Sequence, residues 1–340
     1  MKMKKNIYLN KTILVTGATG SFGSSFIRKL LKSEVGFKKL IIFSRDENKQ
    51  YEMKKEFSPL KYKKIRFFIG DIRDMDRLDY ALKNVDIVIH AAALKQIETA
   101  EYNPFEAIKT NIIGAQNIVI SSLKNNVSSV VFLSTDKACA PINLYGATKL
   151  CAEKIFISSR FIMSESSTKF IIVRYGNVNG SRGSVIPHFI EQSKKGVLSV
   201  TDEKMTRFSI TMDQAHKMVD WSLSYLEGDE ILIPKLPSYK LIDLVKTFSS
   251  CKYKIIGIRK GEKLHEDLIS KSESVQGFET KDYYILCPNI SLVKIKKKCQ
   301  KFKGKMLDKN FSYSSGENRV FLNRNQLVQI VKDLRKTLDS

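Results

Sequence analysis

The sequence predicts an α/β fold: a doubly wound parallel sheet covered by helices on both faces, followed by a smaller C-terminal lobe. Three observations carry the prediction. Short apolar runs rich in Val, Ile and Phe alternate with helix-length amphipathic stretches through the first half of the 340 residues. Those runs are continuous rather than alternating, as expected of strands buried on both faces. A glycine turn, TGATGSFG, follows the first run and opens the first amphipathic stretch, which is where a Rossmann-type sheet meets a dinucleotide.

The elements follow in order. The run TILVTG leads into SSFIRKLLKS, whose apolar residues recur three and four apart and so define a helix. The same unit repeats as KLIIFSR with NKQYEMKKEF, IRFFIGDI with MDRLDYALKN, VDIVIHAAA with PFEAIKTNIIGAQNIVISSLKNN, and SVVFLST with YGATKLCAEKIFISSRF. KFIIVRYGN closes the core near Tyr175. Beyond Asn177 the rhythm loosens. TMDQAHKMVDWSLSYL reads as a helix and EILIPK as a strand returning to the main sheet, while KLIDLVKTF, NISLVKIKKKCQKFKGK and NQLVQIVKDL belong to the C-terminal part. We assign residues 1–176 to a dinucleotide-binding domain with 207–234 packed back onto it. Residues 177–206 and 235–340 form a substrate-binding domain across a cleft.

Composition narrows the function classes. The formal net charge is +23, but the lysines are scattered apart from runs such as KIKKKCQKFKGK, and no arginine-rich or zinc-finger pattern accompanies them. This predicts a solvated basic surface that concentrates anionic small molecules, with no nucleic-acid partner. The five cysteines form no C-x-x-C pair, which fits a reducing cytoplasm. Four histidines without paired ligand spacing predict no metal site, and His90, inside a strand, reads as a core residue. The basic start of the chain turns apolar but breaks at Thr16–Gly17, so no cleaved leader is expected. No run approaches the ~20 apolar residues of a membrane span.

The glycine turn sets Gly17, Gly20 and Gly23 at a strand-to-helix junction. There glycines allow the tight turn, the approach of backbone to pyrophosphate and close helix–sheet packing. The second strand ends in Ser44 and Arg45, a hydroxyl and a guanidinium suited to a ribose 2′-phosphate, with Asp46 next in line. That favours NADP over NAD. Asp71 and Ile72, after the third strand, are placed to meet the adenine.

Tyr145 and Lys149 stand one helical turn apart in YGATK. An ammonium beside a phenol lowers the phenol's pKa, so the pair can take a hydroxyl proton while a hydride leaves the same carbon. Immediately upstream lie Thr135, Asp136 and Lys137.

Together, TDK, CAPINLYGATK, AEYNP, RYGNV, GSRGS, MTRF and GEKLHE resemble the extended short-chain dehydrogenases/reductases that act on nucleotide sugars. Within them the chain is most similar to the 5-inverting UDP-N-acetylglucosamine 4,6-dehydratases that begin pseudaminic acid synthesis for flagellin and surface glycans. The resemblance implies an NADP-dependent hydro-lyase. Thr135 would hold the sugar hydroxyl, Tyr145 with Lys149 would oxidise C4, and Asp136 and Lys137 would remove the C5 proton and the C6 hydroxyl. Which of the two does which stays open. It further implies cofactor contacts at Thr19, Ser21, Phe22, Lys49, Ala91 and Lys95. Substrate contacts are implied at Lys95, Asn177, Arg182, Arg207, Arg259 and Glu262, with homo-oligomers, dimers or hexamers. The chain departs from the pattern at Gln96 and Glu98, where close relatives carry histidine and proline. A 4-epimerase and a C5-retaining dehydratase are the nearest alternatives, and a non-catalytic NADP-sensing protein is a more distant one.

Overall fold

The computed structural model describes residues 6–33, 36–161 and 167–339. The basic first five residues lie outside them. Six strands, β1 (Thr12–Thr16), β2 (Lys39–Ser44), β3 (Ile65–Ile69), β4 (Ile87–His90), β5 (Ser129–Thr135) and β6 (Lys169–Tyr175), form a parallel sheet in the order β3-β2-β1-β4-β5-β6. β1 and β4 are buried along their whole length, and β2, β5 and β6 nearly so. Edge strand β3 alone keeps a mixed pattern, which explains why the central apolar runs are unbroken in sequence.

The helices follow their local chemistry. α1 (Ser21–Lys32) buries Phe26, Ile27 and Leu30. α2 (Glu47–Glu56) and α3 (Met75–Leu82) are N-capped by the side chains of Asp46 and Asp74, each satisfying an otherwise orphan backbone N–H. Strand Glu230–Pro234 pairs in parallel with β6, the return to the main sheet that the sequence predicts.

One difference concerns the C-terminal part. Strands Tyr283–Leu286, Gly277–Glu279 and Lys305–Met306 extend the same sheet antiparallel beyond Glu230–Pro234, and Phe278, Tyr284 and Ile285 belong to the main core. Assigning all of 235–340 to the second lobe is therefore too broad. These strands are only two to four residues long, too short for periodicity to place them. A separate, smaller core gathers Ile186, Phe189, Leu198, Tyr239, Leu244 and Leu327. Among the described residues no helix is long and apolar enough to cross a membrane.

Candidate active site

The sheet's strand order reverses between β1 and β4, and the crevice at such a switch point is where open α/β sheets bind ligands. Gly17 sits there with φ +59°, and a Cβ on it would lie 2.7 Å from the Ala92 nitrogen and 2.8 Å from the Ala91 carbonyl carbon. Only glycine fits. α1 begins at Gly20 with no side-chain cap and no acidic residue in its first turn, so its N-terminal N–H groups are free to meet an anion. The cradle fits a dinucleotide pyrophosphate.

Around it, Thr19 and Ser44 share a hydroxyl hydrogen bond of 2.9 Å, and the Arg182 backbone N–H donates to Ser21 Oγ at 3.1 Å. Phe22 is packed on Phe26 and His216. Asp46 is committed to α2: it accepts from the Lys49 N–H and pairs with the Lys49 ammonium at 2.5 Å. Arg45 is left half exposed, 3.8 Å from Asp71. Asp71 itself is held by Arg73, and although burial opposes it, those hydrogen bonds keep its pKa below the usual carboxylate value. Ile72 is buried, packed where Gly114 lacks a side chain. His90 bonds Thr16 at 2.8 Å and burial holds it neutral, with a pKa of about 3. It is a core residue, and no metal-ligand cluster occurs among the described residues.

The segment after β5 makes a single tight turn, Asp136–Ala138, capped by Thr135. Thr135 Oγ1 donates to Asp136 Oδ1 at 2.9 Å, and the Lys137 ammonium reaches the same oxygen at 3.1 Å. Lys137 also lies 3.5 Å from Asn177 Oδ1 and 3.2 Å from Glu266 Oε1. Asp136 is 1% exposed, and its Oδ2 has no hydrogen-bond partner. Burial raises its pKa, with Glu266 adding to the rise and Lys137 opposing it. Burial pulls Lys137 the other way, but Asp136 and Glu266 outweigh it and hold the ammonium charged above the ordinary lysine value.

Helix Leu144–Ser158 carries Tyr145 and Lys149, both buried. The sequence expects the lysine to lower the phenol's pKa. Instead burial pushes Tyr145 up to about 12, and the cation that opposes this is Lys137, aided by Thr135. Lys149 donates to the Leu133 carbonyl at 2.7 Å and rests 3.8 Å from the Phe132 ring centre. Burial lowers it to about 7, with Glu153 opposing. Lys95, exposed at the cleft, is lowered by partial desolvation and by the like charges of Lys137 and Arg182.

Thr135, Asp136, Lys137, Tyr145 and Asn177 thus converge. Arg259 and Glu262 do not; they share a turn in which Arg259 is exposed and Glu262 half-buried, and Arg259 faces Glu98 at 3.6 Å. Arg207, expected on a diphosphate, is 8% exposed and turned inward, donating to the Thr206 and Leu264 carbonyls. Cys139 is packing, buried against Glu273.

Four residues escaped the sequence reading. Asn111, in a π-helical turn at Lys109–Ile113, clasps both backbone groups of Leu94 and donates to Thr148, so it fixes the Lys95 loop against the Tyr145 helix. Glu101 accepts from the Leu144 N–H at the start of that helix. Arg174 and Glu266 are buried charges. The motifs AEYNP and GEKLHE contain Glu101 and Glu266, which was the available signal.

The family model described as "Polysaccharide biosynthesis protein" matches residues 13–288. A Campylobacter jejuni protein named UDP-N-acetylglucosamine 4,6-dehydratase (inverting) is 45% identical over 336 residues, covering 96% of this chain and 98% of that one. A Rickettsia conorii protein named UDP-glucose 4-epimerase is 40% identical over 286 residues, covering 82% of this chain and 83% of its own. The X-ray structure of Pen from Bacillus thuringiensis superposes with a TM-score of 0.87 at 36% identity, covering 96% of this chain and 98% of that one.

Proposed function

This chain belongs to the polysaccharide biosynthesis protein family, and from that membership and the site's geometry we infer that it is a UDP-N-acetylglucosamine 4,6-dehydratase that inverts C5. The observation that carries the reading is the buried Asp136–Lys137 pair directly ahead of Tyr145. Hydride exchange at C4 alone needs only a tyrosine, a lysine and a hydroxyl-bearing residue. The added pair is what an elimination requires.

A nicotinamide dinucleotide held by the glycine turn at 17–23 and Lys149 would supply the hydride acceptor for C4 and the hydride donor for C6. Tyr145 accepts the O4 proton, with Thr135 orienting the hydroxyl, and Lys149 holds the ribose. The 4-ketone acidifies C5–H. Lys137, an ammonium at rest, first passes a proton across its 3.1 Å contact to Asp136. The free amine then takes the C5 proton while Asp136 gives the transferred proton to the departing C6 hydroxyl, which leaves the pair as it began. Reprotonation of C5 from the opposite face inverts the centre, and the net reaction is loss of water. Lys95, Asn177 and Arg182 line the sugar and nicotinamide end, and Arg259 and Glu262 receive the UDP. The main-core lobe is the cofactor domain and the smaller core the sugar-nucleotide domain.

The cofactor is NADP in this reading, supported by Asp46 being spent on α2 while Arg45 stays half exposed. Arg45→Ala is expected to raise the KM for NADP at least tenfold with little effect on NAD, the loss of a charge-assisted phosphate contact being worth about 1.5–3 kcal/mol. Equal effects on both cofactors would remove the preference. A cytoplasmic setting is supported by five unpaired cysteines, and a homo-oligomer by the exposed Tyr102 and Phe105 on adjacent short helices. The product begins pseudaminic acid synthesis.

Incubation with UDP-N-acetylglucosamine in deuterated water, followed by NMR, tests the reading. The expected product is a 6-deoxy-4-keto sugar with deuterium at C5 and inverted configuration. The Rickettsia relative's name favours a second reading, 4-epimerase, and a product that keeps its C6 hydroxyl would establish it. Retained configuration at C5 would defeat inversion.

A further inference from the structure

Glu266 is a buried carboxylate that the mechanism above does not use. It is 2% exposed, on the segment after the Arg259–Glu262 turn. Its Oε1 lies 3.2 Å from the Lys137 ammonium and 3.8 Å from Arg207 Nε, while Oε2 has no hydrogen-bond partner. Its backbone is pinned: the Glu266 N–H donates to Ser315 Oγ, and its carbonyl accepts from the Ser315 N–H. The backbone from which the carboxylate projects is thus fixed against Ser315, and the Lys137 and Arg207 cations hold the carboxylate itself.

We propose that Glu266 is a positioning residue for the elimination: it holds the Lys137 ammonium beside Asp136, and its charge sets the pH window in which that pair exchanges protons with the sugar. The inference rests on the dehydratase reading and deepens it. Two buried carboxylates, Asp136 and Glu266, flank one ammonium, and Arg207 lies behind Glu266. The remaining charged and titratable groups facing the cluster are Tyr145 from the catalytic helix, Lys95 from the loop after β4, Tyr239 opposite Arg207 on the neighbouring strand, and Lys263 on Glu266's own segment. His265 is turned to Thr206.

Two opposing charges make the proposal checkable. With Glu266 ionised, the proton on Lys137 is stabilised and so is a proton on Asp136. Arg207 acts oppositely on Lys137. Neutralising Glu266 therefore makes both members of the pair more acidic. Neutralising Arg207 makes Lys137 less so.

The experiment measures kcat for dehydration of UDP-N-acetylglucosamine against pH in the wild type, Glu266→Gln, Glu266→Asp and Arg207→Gln, with cofactor reduction in a single turnover as a readout of C4 oxidation. Glu266→Gln is expected to move the whole bell-shaped profile acidward by about one pH unit or more, the effect of a single charge at this range, while C4 oxidation persists. Arg207→Gln is expected to move it alkaline, and Glu266→Asp to restore the wild-type position at lower kcat. Profiles that stay in place, or move the same way in both neutralised variants, would overturn the inference. If Glu266→Gln does not fold, an unmoved Arg207→Gln profile overturns it alone. A wild type that leaves the sugar undehydrated overturns the dehydratase reading itself, a distinguishable failure.

Discussion

Lys137→Ala is expected to lose dehydration by about 10²- to 10⁴-fold, the usual contribution of a general acid or base, while retaining C4 oxidation. The ammonium sits between Asp136 and Glu266 with 18% of its side chain exposed, so its removal takes away the group assigned to the C5 proton. It also leaves two buried carboxylates facing one another without their shared cation, which drives at least one of them to protonate. Lys137 is also the cation that opposes the rise of the Tyr145 pKa, so the oxidation should slow without being lost. The variant should therefore reduce its bound cofactor with UDP-N-acetylglucosamine, seen by absorbance, and then stall. Deuterium from solvent should not enter C5. Full turnover in the variant would move the base to another residue, and loss of both steps together would show that Lys137 also serves the oxidation.

Arg174→Met is expected to destabilise the fold by about 3–5 kcal/mol, the cost of breaking a buried ion pair from one side. Arg174 has 0% exposure in β6. It donates to both oxygens of Glu153 at 3.0 and 2.6 Å, to Glu273 at 2.8 Å and to the Leu268 carbonyl at 3.0 Å, and Ser134 donates to Glu153 as well. Methionine would leave Glu153 and Glu273 without their counter-ion. Adding Glu153→Gln and Glu273→Gln in the same chain should recover part of the loss in urea unfolding. The pH dependence has a definite sign. Burial opposes ionisation of Glu273, yet Arg174 wins and holds its pKa near 2, below the ordinary 4.5. A carboxyl depressed on folding contributes fully above its unfolded value and loses that contribution as pH falls toward the folded one. The stability gap between wild type and Arg174→Met should accordingly narrow as pH drops from 4.5 toward 2. A gap constant across that range would exclude the ion pair as its source.

What was legible in the sequence was what short-range periodicity encodes. The six parallel strands, the glycine turn and the Tyr145–Lys149 spacing each lie within one run of residues, and the structure has all of them. Contacts between distant segments were not legible. Nothing near Lys137 announces that Glu266 will reach it, and the inward turn of Arg207 depends on the Leu264 carbonyl and on Glu266, both from a later loop. Lys149 shows a different limit. The spacing places it correctly on the helix, but its partner is decided by a carbonyl and an aromatic ring on β5. Charge effects inside a core follow three-dimensional neighbours rather than sequence neighbours.

Gly146, next to Tyr145, meets the turn that holds the acid/base pair so closely that a Cβ there would lie 2.1 Å from the Lys137 carbonyl oxygen. The oxidising tyrosine and the eliminating pair are thereby fused into one rigid cassette. On the proposed mechanism, one seating of the sugar against that cassette would serve both oxidation and elimination, an economy that depends on a missing methyl group.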